Sequence, residues 1–247
     1  MEYIIKGDVM QLLQVKLKAG EAIYTESGGM AWMTDGIEMK TSGRGGLGKM
    51  LGRALAGESL FLTTYKATTD AAIAFVPETL GKIVPLELPA GHSIIAQRDA
   101  FMCAQDGVEM EMHFRKKLGT GFFGGEGFVL QKITGPGLAF MEVSGEVNKY
   151  NLKPGQRLKI DPGHIAMYEP SVSYDLTTVK GLKNIFLSGE GLFLATLTGP
   201  GKVWLQTMPV GNLAMKISTL IPKPGGSSGG PVGRLAGDIL DSILKSI

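Results

Sequence analysis

GEGFVLQKITGPG at Gly125–Gly137 and GEGLFLATLTGPG at Gly189–Gly201 are nearly one phrase written twice, 64 residues apart with no gap. A period of that length is the mark of a chain built by duplication, in which one unit cannot bury its apolar face alone. Reading backwards from each copy recovers the rest of the unit. VKLKAGEAIYTESGGMAWMTDGIEM from Val15, PLELPAGHSIIAQRDAFMCAQDGVEM from Pro85 and YNLKPGQRLKIDPGHIAMYEPSVSY from Tyr150 align on Gly20, Gly91 and Gly155. Ten residues past each anchor an apolar strand begins (Met30, Phe101, Ile165), and fifteen past it stands a turn residue (Asp35, Asp106, Pro170). GESLFLTTYKATTDAAIAF from Gly57 is a fainter third copy of the opening phrase, with Thr68, Thr69 and Asp70 in place of the turn. The domain reading is three β units over residues 1–84, 85–148 and 149–221, then a linker and helix over 222–247.

The runs between turn signals are four to seven residues long, which fits strands. Asp35-Gly36 and Asp106-Gly107 sit between alternating apolar runs, the strongest short-range hairpin signal, because a type I′ turn needs positive φ at both central residues. Gly135-Pro136-Gly137 and Gly199-Pro200-Gly201 predict type II turns, with Pro fixing φ and Gly supplying the positive φ, and thus a second hairpin in each unit. The fold class expected is all-β: three repeated β-sandwich or double-stranded β-helix-like units around a pseudo-threefold axis. After Leu220, IPKPGGSSGGP reads as a flexible linker. Leu235, Ile239, Leu240, Ile243, Leu244 and Ile247 then share one face of an amphipathic C-terminal helix.

Composition narrows the function classes. In 247 residues the hydrophobic share is 44% and the net charge +2, a globular balance with no bulk charge to dictate a partner. Thirty-six Gly and twelve Pro are spread along the chain, as many short elements with frequent turns require. Cys103 is the single cysteine and lies in the apolar run AFMCA, so a buried small hydrophobe is expected. The thirteen Met mostly alternate in predicted strands, where they read as gap-filling core. The opening MEYIIKGDVMQLLQVKL shows neither a signal-peptide nor a transit pattern, and the expected location is cytoplasmic.

Motifs that spell chemistry fail on context. GRGGLGKM at Gly43–Met50 puts Met50 where a phosphate-binding loop needs a hydroxyl for Mg²⁺. GTGFFG at Gly119–Gly124 fits a dinucleotide fingerprint in spelling, but a strand follows it where a helix N-terminus must face the pyrophosphate. His92, His113 and His164 fall at non-equivalent repeat positions without metal-ligand spacing. No catalytic residue, metal or cofactor is nominated. What remains is a basic excursion in each unit before the GEG strand: Arg44, Lys49 and Arg53; Arg115, Lys116 and Lys117; Lys180 and Lys183. Gathered at one end, these suit an anion, a protein or membrane-associated partner, or nucleic acid. Leu47, Met50, Leu51, Ala54 and Leu55 form a short helical stripe within the first excursion.

GDVMQLLQVKLKAGE at Gly7–Glu21, ESGGMAWM at Glu26–Met33, GGLGKMLGRALAGESLF at Gly45–Phe61 and the two GEG…TGPG copies resemble the AIM24 family over about residues 1–220. The resemblance implies a TRAP-like all-β fold, similar in strand arrangement to the tryptophan RNA-binding attenuation protein. It implies no established enzyme activity and supplies no site residues to map. A mitochondrial relative is associated with inner-membrane organisation, a role not carried over to a chain that opens without a transit pattern. The expectation is a non-enzymatic scaffold and homo-oligomer that binds a protein or membrane-associated partner through its loop ends. Single-stranded RNA binding through the basic loops is the alternative, and a small-ligand or enzyme site between units a further one.

Overall fold

The computed structural model describes residues 1–26, 29–43, 61–116, 128–178 and 193–220. The first strands are β1 (Glu2–Lys6), β2 (Leu12–Leu17), β3 (Ala22–Glu26), β4 (Met30–Met33), β5 (Ile37–Gly43), β6 (Phe61–Ala67) and β7 (Ala71–Phe75). Next come β8 (Gly81–Leu88), β9 (Ser93–Gln97), β10 (Phe101–Gln105), β11 (Glu109–Lys116), β12 (Phe128–Thr134) and β13 (Gly137–Ser144). The last are β14 (Val147–Leu152), β15 (Arg157–Ile160), β16 (Ile165–Tyr168), β17 (Ser173–Thr178), β18 (Phe193–Thr198) and β19 (Gly201–Gln206). They form four antiparallel sheets. Sheet I has the order β1-β2-β7-β4, sheet II β5-β6-β3-β10-β13-β8, sheet III β11-β12-β9-β16-β19-β14 and sheet IV β15-β18-β17. Adding six to every strand number of sheet II gives sheet III.

Three apolar clusters lie between successive sheets. Leu13, Val15 and Phe75 of sheet I meet Ile23, Cys103 and Phe140 of sheet II. Tyr24, Leu62 and Met141 on the other face of sheet II meet Ile94, Met167 and Trp204 of sheet III. Ile95, Leu130 and Tyr168 of sheet III meet Ile160, Ala195 and Leu197 of sheet IV. Successive side chains of a strand point to opposite faces, so Ile23 and Tyr24, or Ile94 and Ile95, enter different clusters. Sheets II and III are therefore apolar on both faces, which explains the unbroken runs SIIA, FMCA and IAMY. Cys103 is wholly buried, and burial pushes its thiol well above the usual range.

None of the expected hairpins forms. Asp35-Gly36 links β4 of sheet I to β5 of sheet II, and Asp106-Gly107 links β10 of sheet II to β11 of sheet III. Gly135–Gly137 likewise carries β12 of sheet III into β13 of sheet II, and Gly199–Gly201 carries β18 of sheet IV into β19 of sheet III. Alternation and a tight turn mark two strands and a reversal, but not whether the partner strand lies beside or across the core; here each reversal is a corner between packed sheets. Gly36 does adopt positive φ (84°), whereas Gly107 does not enter the left-handed region. The Gly135-Pro136 and Gly199-Pro200 peptides are cis, so these corners are not type II turns, although Gly137 (φ 138°) and Gly201 (φ 141°) are positive as expected.

Type II geometry belongs instead to the alignment anchors. Gly20, Gly91 and Gly155 have φ of 90°, 76° and 74°. Each lies third in a turn closed by Glu21 N–H to Lys18 O (2.9 Å), His92 N–H to Pro89 O (3.0 Å) or Gln156 N–H to Lys153 O (2.9 Å).

By backbone contacts the chain divides into Met1–Pro209 and Val210–Ile247. In the second unit the described residues form one helix, α1 (Val210–Leu220), which the sequence reading had absorbed into its third β unit. The expected linker and amphipathic helix over 222–247 lie outside the described residues. No helix among the described residues is long and apolar enough to cross a membrane.

Candidate functional site at the sheet ends

The two six-stranded sheets are each a pair of three-stranded halves joined at one seam. In sheet II the seam is β3 against β10, with Thr25 opposite Cys103, Tyr24 opposite Ala104 and Ile23 opposite Gln105. In sheet III it is β9 against β16, with Ala96 opposite Met167 and Ile95 opposite Tyr168. Counted from the anchor glycines, both seams have one register: the residue five past the anchor faces the residue twelve past the next anchor.

Polar groups clasp these seams. Thr25 Oγ1 donates to Met102 O at 2.6 Å, and the Glu26 carboxylate accepts from Gln131 Nε2 (3.1 Å) and Arg98 Nε (3.4 Å). Burial nevertheless raises the Glu26 pKa. At the second seam Gln206 Nε2 donates to Gly163 O (2.8 Å) and to Gln97 Oε1 (3.3 Å).

Sheets I and IV are the halves left without a seam. β4 ends sheet I and β15 ends sheet IV, and among the described residues neither has a strand on its outer side. β4 carries Trp32 and Met33, 53% and 36% exposed, at the positions that Cys103 and Ala104, then Met167 and Tyr168, occupy in β10 and β16. Those four are buried, at 0 to 2%. A register shift between the tenth and twelfth residue past the anchor recurs in all three strands, at Met30/Trp32, Phe101/Cys103 and Ile165/Met167. β4 thus has the local build of a seam strand and the exposure of an edge.

An open groove of about 490 Å³ runs along the face of sheet III toward sheet IV, lined by Ile95, Glu111, His113, Lys132, Tyr168 and Tyr174 among others. Tyr174 stacks on Tyr168 and Phe128 with ring centroids 6.2 and 5.8 Å apart. The buried hydroxyls of Tyr168 and Tyr174 have no hydrogen-bond partner among the described residues, and burial raises both phenol pKa values above their ordinary range. Lys132 and Glu111 pair across β11 and β12 at 3.3 Å, so the groove's charges are matched.

Of the basic residues singled out in the sequence, Arg115 and Lys116 fall at the end of β11, paired along the backbone with Val129 and Phe128. Arg44, Lys49, Arg53, Lys117, Lys180 and Lys183 lie outside the described residues, as does the Leu47–Leu55 stripe. Among the described residues no three His, Cys, Asp or Glu converge on a common point. His164 is engaged structurally, its Nδ1 2.8 Å from Gln206 O. Sequence reasoning missed the β4 edge because Met30 and Met33 read as gap-filling core; the anchor alignment held a signal, since it sets Trp32 at the position of Cys103 and Met167.

Antiparallel sheets packed in series, two of them seamed from three-stranded halves, define an all-β protein. The chain belongs to the AIM24 family, described as mitochondrial biogenesis AIM24, whose model matches residues 3–208. The uncharacterised protein M6_Spy0233 of Streptococcus pyogenes serotype M6 is 29% identical over 219 residues, 85% of this chain and 87% of that protein. The crystal structure of protein SPYM3_0169 from Streptococcus pyogenes matches with a TM-score of 0.74 at 24% identity, covering 89% of this chain and 99% of that one.

Proposed function

We propose that this protein is a non-enzymatic scaffold of three six-strand repeats, β2–β7, β8–β13 and β14–β19, which acts by adding strands at its unpaired sheet ends. The recurring strand order, the three anchor turns and the three matching register shifts support the repeat reading. The observation that carries the functional reading is the β4 edge: no strand on its outer side among the described residues, beside an exposed Trp32, where its counterparts are sealed inside seams. An edge of this kind is a template for β-augmentation, with main-chain hydrogen bonds giving affinity and side chains giving specificity.

Hydrogen exchange on the native complex, compared with the dilute isolated chain, tests this. Slowed exchange at the β4 amides in the complex is expected. Equal exchange at β4 in both samples, with protection confined to other surfaces, would overturn it.

A further inference from the structure

We infer that the occupant of the β4 edge is β15 of a second copy of this chain, paired antiparallel with Trp32 opposite Ile160 and Met33 opposite Lys159. The inference rests on the scaffold reading above and names its partner.

The register comes from the two seams already present. Five past the anchor faces twelve past the next anchor, which pairs Thr25 with Cys103 and Ala96 with Met167. Ile160 stands five past Gly155, and Trp32 twelve past Gly20. The same rule sets Lys159 against Met33, as Tyr24 faces Ala104 and Ile95 faces Tyr168.

Joining sheet IV to sheet I in this register gives the order β17-β18-β15-β4-β7-β2-β1. Its first six strands are the first half of sheet III with six added to each number and the second half of sheet II with six subtracted, so a third six-stranded sheet is completed, with β1 added at its end. The contact is heterologous, one end of a copy on the other end of the next.

Side-chain volumes agree. Cys103 lies opposite Phe140 and Met167 opposite Trp204 on the neighbouring strand, and each pair belongs to the apolar cluster of the preceding repeat. In sheet I the opposite pair is Trp32 and Ala74. One bulky aromatic is present on this face every time, contributed by β4 here rather than by its neighbour. Among the described residues the copy in sheet I has no preceding cluster, and its aromatic is the exposed one.

The open groove borders the third cluster, sharing Ile95 and Tyr168 with it. Met167 and Trp204 share a cluster with Tyr24, which stands four past its anchor. Ile95, four past the next anchor, lines the open groove on sheet III. A second copy's β4 and β7, added to β15, extend sheet IV over that groove and bring Trp32 to it. Exposed edge and open groove are thus two halves of one interface, with Trp as the anchor residue.

The test is a chain carrying M33C and K159C together, oxidised and run without reductant. Directly opposed antiparallel residues have Cα atoms about 4.5–5.5 Å apart, within disulfide reach. Cys103 is wholly buried and does not compete. Interchain species, absent when M39C replaces M33C, are expected. Adding W32E should abolish them by weakening association at least about 30-fold, while the circular dichroism spectrum stays unchanged. A disulfide confined to single chains, or interchain species that form equally with M39C, overturns the inference. If no species form while the native complex still protects β4, a foreign strand is the occupant and only this inference fails; if β4 is unprotected too, both readings fail.

Discussion

Gly135 stands where the chain turns between two sheets, and a Cβ there would run into the carbonyl oxygens of Leu88 and Pro89. Leu88 ends β8 and Pro89 O accepts from the His92 N–H in the following turn, so neither oxygen can give way as a flexible side chain would. Gly135→Ala is expected to destabilise the chain by about 1–3 kcal/mol, read as a lower urea midpoint. Glu142 makes a different kind of demand. Its Oε2 accepts from the Glu78 N–H at 2.8 Å, but burial dominates and raises its pKa to about 8 from an ordinary 4.5. Between those values the native chain holds a proton that the unfolded chain has released, so stability falls as pH rises from 4.5 through 8. Glu142→Gln keeps an acceptor and removes the charge. Its melting temperature should exceed the parent's at pH 8 and above, by roughly 2–4 °C per kcal/mol relieved, and the slope between pH 5 and 8 should flatten.

At the scale of strands, length, turn positions and core content were legible in the sequence, and strand partnership was not. The Asp-Gly pairs and the Gly-Pro-Gly phrases did mark reversals between strands, as β4–β5, β10–β11, β12–β13 and β18–β19 show. Local pattern fixes where the chain reverses, whereas the choice between pairing and crossing depends on which apolar face finds which cluster. Gly20, Gly91 and Gly155 served in the sequence only as alignment marks; the structure gives them one shared turn. The seams were invisible, because β3–β10 and β9–β16 pair residues from different units and no local motif announces them. Thr25 shows what holds such a seam: its buried hydroxyl donates 2.6 Å to Met102 O across β3 and β10. Thr25→Val keeps the shape, loses that bond and leaves the carbonyl short of a donor. A loss of about 1–2 kcal/mol is expected in chemical denaturation.

Across the whole molecule, the proposed duplication accounts for both the sealed seams and the exposed β4 surface. On that reading the middle repeat gives one half-sheet to each neighbour and is sealed, whereas the first and last each leave a half-sheet unjoined among the described residues. The candidate interface was half legible: the alignment of Trp32 with Cys103 and Met167 was plain in the sequence, but that β4 has no seam partner among the described residues appears only once the seams are seen. The basic residues that looked most functional are a different matter, since most of them lie outside the described residues and the interface owes them nothing. Light scattering of the purified chain over a dilution series is the most direct measurement of the central claim, that β4 and β15 are two ends of one interface. A mass of two or more chains at high concentration, reduced to one chain by Trp32→Glu, is predicted. A single-chain mass at every concentration would contradict it.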